Sequence, residues 1–136
     1  MSPQKLPPVA EIIRLEIKNM IPELSKQPVE ESAEILRTEK NGNKTYGGDL
    51  LAKQISLLSK QLPIPDPENW GWRLLYFAVP TTVANARKRG FLIPLSEKTL
   101  CDAMLEEGTS QEGFYFETKT DPDVHSETAA IYFVPK

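Results

Sequence analysis

The chain carries one cysteine, Cys101, and one histidine, His125. A thiol and an imidazole make a nucleophile and its base only where the fold brings them within hydrogen-bond reach. No sequence pattern argues that these two meet. His125 follows the turn signal Asp121-Pro122-Asp123 among polar residues, where an imidazole is normally solvated. Cys101 falls in a segment read as a helix and is expected to be an inert, buried thiol. The acid pairs Glu30-Glu31 and Glu106-Glu107 do not make an acid–base couple, because sequence neighbours on a helix point apart. Gly47-Gly48-Asp49 could offer converging backbone N–H groups to a phosphate, but the Lys and Ser or Thr of a phosphate loop are absent. No metal-ligand spacing occurs. The chain is therefore read as a non-enzyme, with no catalytic residue, metal or cofactor assigned.

Recognition of a macromolecule is the better lead, and two surfaces compete for it. The first is aromatic. Trp70 and Trp72 open the densest apolar run of the chain, while Tyr115 and Tyr132 lie on two alternating segments near its end. Rigid aromatic side chains dominate interface energetics, so these four residues are the expected contacts for a protein partner. The second surface is basic. Thr82, Asn85, Arg87, Lys88 and Arg89 lie within a stretch whose pattern fits a helix over 81–90. Asparagine can pair with adenine through two hydrogen bonds, and cations can neutralise phosphates.

The spacing Thr, aliphatic residue, six positions, Gly, two apolar residues, Pro over Thr82 to Pro94 resembles the recognition helix and following turn of mercury-resistance-type regulators and phage excisionases. That resemblance implies a helix-turn-helix-like segment at 74–94, with Thr82, Asn85, Arg87 and Arg89 facing DNA. Leu74 and Ala78 stand where those families usually place Ala and Gly, and the usual Gly-Tyr-Arg wing motif does not follow.

Both surfaces depend on the elements that carry them. Val9, Ile12, Ile13, Ile17, Met20 and Leu24 recur at helical spacing, and Pro22 should end that helix. Asn41-Gly42 marks a hairpin turn between 32–39 and 44–46. Asp49 reads as the cap of a second helix buried along Leu51, Ile55, Leu58 and Leu62. Residues 72–79 read as a central strand, since Tyr76, Phe77 and Val79 favour β structure and Gly71 weakens a helix. Two further helices are expected, one from Thr81 or Thr82 to Arg89 and one from Ser96 to Gly108, with Leu100, Ala103, Met104 and Leu105 facing inward. Alternation over Phe114–Thr118 and Ile131–Val134 predicts a second hairpin, joined at Asp121-Pro122-Asp123.

Size and charge set the frame. A chain of 136 residues fits a single domain over 1–136 with one sizeable core. Its net charge of -3 gives no overall basic field to attract nucleic acid, so binding of that kind must rest on residues 81–90. One cysteine fits a reducing compartment. With no signal-like or membrane-spanning run, a cytoplasmic location and no membrane partner are expected. The sequence thus predicts an α+β domain: an antiparallel sheet of two hairpins plus a central strand at 72–79, packed with about four helices. Its expected role is that of an adaptor or regulatory subunit binding a protein, with a DNA-binding regulator as the alternative.

Overall fold

Trp70–Phe77 forms strand β4, and its side chains divide cleanly between two faces. Trp70, Trp72, Leu74 and Tyr76 join one apolar cluster, whereas Leu75 and Phe77 join another. The period of two is that of a strand buried on both sides. Residues 1–25 and 32–136 are described by a computed structural model. The paired acids Glu30-Glu31 lie outside the described residues.

Seven strands form one antiparallel sheet. Besides β4 they are β1 (Pro3–Lys5), β2 (Glu34–Thr38), β3 (Lys44–Gly47), β6 (Gly90–Pro94), β7 (Phe114–Thr118) and β9 (Thr128–Pro135), in the order β1-β7-β6-β9-β4-β3-β2. A second, two-stranded sheet pairs β5 (Thr81–Thr82) with β8 (Asp123–Val124). Two α-helices, α1 (Pro8–Asn19) and α2 (Asp49–Ser59), complete the elements among the described residues, apart from a short 3-10 turn at Pro67–Asn69. Both helices cover the same face: Ala10, Ile13 and Ile17 of α1 and Leu51, Ile55 and Leu58 of α2 share a core with Leu74, Ile93 and Ile131. On the opposite face, Val83, Leu100 and Val124 close over Leu92, Phe116 and Tyr132.

This architecture corrects the sequence-based expectation. The fold is mostly sheet, and among the described residues it has two α-helices rather than about four. The expected terminal hairpin does not form, because β6 lies between β7 and β9: Phe91 stands opposite Glu117 on one side and Phe133 on the other. All five residues of β6 are buried, as an interior strand demands.

The two missing helices have local causes. In 83–89, the Asn85 side chain donates to the Thr118 and Thr120 carbonyls and accepts from the Arg89 N–H, while its own N–H donates to Asp121. Those bonds build a loop in place of a helical ladder. In 96–107, Gln111 accepts from the N–H groups of Thr99 and Leu100 and donates to the Leu100 carbonyl. Ser96, expected as a cap, accepts instead from the N–H of Ala129. Met104, expected to face inward, is 69% exposed. The cap of α2 is Gly48 at φ 99°, and Asp49 is the first helical residue. That positive φ suits glycine alone among ordinary residues.

Candidate binding surface

Register places an aromatic row on the helix-covered face. Trp72 stands opposite Phe133, Phe133 opposite Phe91, and Phe91 opposite Glu117, so one line of side chains crosses β4, β9, β6 and β7. Trp70 packs beside it, with its ring centre 5.6 Å from that of Phe91. Tyr115 meets Phe91 edge-on at 6.1 Å. Such tilted and edge-to-face contacts are the favoured arrangements of aromatic rings and hold the row rigid.

Helix α2 and the segment after it cover this row incompletely. Between α2 and β4 lies a pocket of about 470 Å³ floored by Ile55, Trp70, Trp72 and Phe133, with Lys60 and Glu68 at its rim. A second opening of about 520 Å³ lies toward β1 and β7, lined by Gln4, Pro63, Arg89, Tyr115, Glu117 and Lys119. Trp70 is nearly covered at 9% exposure and serves as floor. Trp72 and Tyr115 are half-buried, each with part of its ring open to a pocket.

Three of the four aromatic residues expected to bind a partner are thus brought to one face, and the fourth is not. Tyr132 points to the opposite face and is 1% exposed, so it offers no surface. Its hydroxyl is buried without a hydrogen-bond partner among the described residues. Burial pushes that phenol up to about 12, against the opposing pull of Arg73.

The expected recognition helix is absent. Thr81–Thr82 is a strand, and the Thr82 hydroxyl donates to the Asp123 carboxylate. Asn85 is 2% exposed and consumed by loop hydrogen bonds, so it cannot read a base edge. Arg87 and Lys88 are exposed on the loop, where Lys88 adopts φ 55°. Arg89 lies with its guanidinium carbon 5.2 Å from the Trp70 ring centre, a cation–π contact. The residues nominated for DNA therefore share no helix, with Thr82, Asn85 and Arg89 engaged by Asp123, loop carbonyls and Trp70, and Leu74 belongs to β4 rather than to a supporting helix.

Cys101 and His125, by contrast, do come together, with Sγ 3.8 Å from Nδ1. The Cys101 N–H donates to the Asp123 carbonyl and the His125 N–H to the Thr99 carbonyl, and this loop pairing closes the sequence gap. The thiol is exposed, contrary to expectation. Partial burial, then Asp123 and Asp102, push it up rather than down, which is the wrong direction for a nucleophile. No cluster of ligands for a metal ion occurs among the described residues. No helix among them is long and apolar enough to cross a membrane.

Sequence reasoning passed over Phe91, Phe133, Glu117 and Lys119 as parts of this surface. The alternation of 114–119 carried part of the signal, but the strand between the two terminal segments concealed the row. Comparison with protein-family models, curated proteins and solved structures gives no match, so the site stands on its own geometry.

Proposed function

We propose that the chain is a non-catalytic protein-interaction module, an adaptor or regulatory subunit, that engages its partner on the aromatic face with Trp72 as the central anchor and Tyr115 as the second. The observation that carries this reading is the half-buried Trp72 at an apolar pocket of about 470 Å³. A rigid indole beside a preformed concavity suits a partner's apolar side chain, because little side-chain entropy is lost on docking. The lone Cys101 fits work in a reducing, cytoplasmic compartment.

Immobilised wild-type protein and Trp72→Ala, each confirmed as folded by near-ultraviolet circular dichroism, provide the test in cell extract. The reading requires a specific protein recovered by wild type and lost with Trp72→Ala but retained by Tyr132→Phe. Equal recovery by all three would remove Trp72 from the interface.

A further inference from the structure

We infer that the partner segment is acidic: an anionic side chain sits between Arg89 and Lys119 while a neighbouring apolar side chain enters the Trp72 pocket. This rests on the protein-binding reading above and adds the chemistry of the partner.

Gly90 and Thr118 are the outermost pair of the β6–β7 ladder, and Arg89 and Lys119 flank that pair just beyond the ends of the two strands. Both line the opening that Tyr115 borders. Two like charges at the border of one opening repel, and an anion bound between them relieves that repulsion. Among the described residues, neither cation forms an ion pair, although Glu117 borders the same opening. Arg89 is also held in place, because its guanidinium rests on Trp70. A cation fixed before the ligand arrives loses less entropy on binding, and a planar guanidinium matches a carboxylate in two hydrogen bonds.

The same Trp70 ring floors the apolar pocket, so the cationic and apolar subsites adjoin. A peptide carrying one or two acidic residues beside an aliphatic or aromatic one fits that order. A nucleic-acid strand fits it less well: its continuous phosphates would meet Glu117 in one opening and Glu68 at the rim of the other, on a chain of net charge -3.

The test pans displayed libraries of short random peptides against the whole protein, with Trp72→Ala in parallel. Enriched peptides are then made with a fluorophore and titrated by anisotropy against wild type, Arg89→Gln/Lys119→Gln and Lys119→Arg, all checked for fold. The expected result is Trp72-dependent peptides that carry Asp or Glu close to an apolar residue. Their affinity should fall about tenfold or more in the double variant, stay within about threefold in Lys119→Arg, and weaken between about 50 and 200 mM salt. Trp72-dependent peptides that are neutral or basic, or that bind the double variant equally well, would overturn the acidic subsite and leave the interaction module standing. Failure to enrich any Trp72-dependent peptide would count against both. A labelled single-stranded oligonucleotide that binds with the same dependence on Arg89 and Lys119, where acidic peptides do not, would overturn the proposal in favour of a polyanion.

Discussion

The Arg89 guanidinium rests on the indole of Trp70, 5.2 Å from the ring centre. This contact joins the most basic stretch of the chain to its aromatic core. It also commits Arg89 to that ring, whereas Arg87 and Lys88 are exposed on the loop before it. The stack brings the positive charge to the edge of a pocket rather than to an exposed helix, and the functional reading follows from that placement.

For duplex DNA, the consequence is a weak and insensitive interaction. Titration at about 50 mM salt should show low affinity, and Arg87→Ala and Arg89→Ala should each change it less than about threefold. A steep loss of affinity in either variant, seen by anisotropy, would restore a DNA-facing role to the 81–90 segment.

Tyr132 offers a test of the opposite face. Its buried hydroxyl has no hydrogen-bond partner among the described residues, so Tyr132→Phe should be neutral or should stabilise the fold by up to about 1 kcal/mol in urea unfolding, since it removes a polar atom that gains nothing by burial. A loss of more than about 1 kcal/mol would mean that the hydroxyl is satisfied in solution.

Arg14 fastens α1 to the loop before β7. It is 1% exposed and donates to Glu11 at 2.6 and 2.7 Å and to Glu112 at 2.9 Å. Arg14→Ala leaves Glu11 without its cation, leaves Glu112 to Lys18 alone and opens a void, and should lower the unfolding free energy by about 3 kcal/mol. Arg14→Met fills the space and should cost less. Equal, small losses in both would show the pair to be energetically idle.

The turn after α1 predicts a pH dependence. Burial opposes ionisation of Glu23, but hydrogen bonds from Lys44 and Tyr46 outweigh it and hold the carboxyl below its usual range. A depressed carboxylate stabilises the fold above its unfolded pKa and loses that contribution as pH falls through the folded one. Wild type should therefore exceed Glu23→Gln by up to about 1 kcal/mol near neutrality, since solvent screens so accessible a pair, and the gap should close as the solution is acidified through the carboxylate range. A gap that stays constant with pH would refute the linkage.

Cys101 should behave as an ordinary, slow thiol despite its histidine neighbour. Partial burial, Asp123 and Asp102 all raise it, so alkylation by iodoacetamide should accelerate only above the usual thiol range. His125→Ala should change the neutral rate less than about twofold. A large drop in that variant would show that the imidazole activates the sulfur.

The legible parts of this molecule were those whose pattern is local. The first helix, the Asn41-Gly42 turn and the strand around Leu74 each carry their period or turn chemistry within a few residues, although of the helix stripe Ile13, Ile17 and Met20 are buried while Val9 and Ile12 are exposed. What escaped depends on distant partners. Gln111 replaces a helical ladder at Thr99 and Leu100, and nothing near either residue announces it. The same holds for Asn85, which reads as a helical recognition residue until its bonds to Thr118 and Thr120 are seen. For the site, the aromatic types were visible but their facing was not. Inserting β6 between β7 and β9 separates the two terminal segments, leaving Tyr115 on the helix-covered face of the sheet and Tyr132 on the other, beneath the loops.

The most direct test of the aromatic face places a photoreactive benzoylphenylalanine at position 72, with a second protein carrying it at Lys40 in the exposed β2–β3 turn. Irradiation in extract should give a discrete protein adduct from position 72 that position 40 does not give, and excess unlabelled wild type should suppress it. No adduct from position 72, or the same adducts from both positions, would contradict the assignment of this face as the interface.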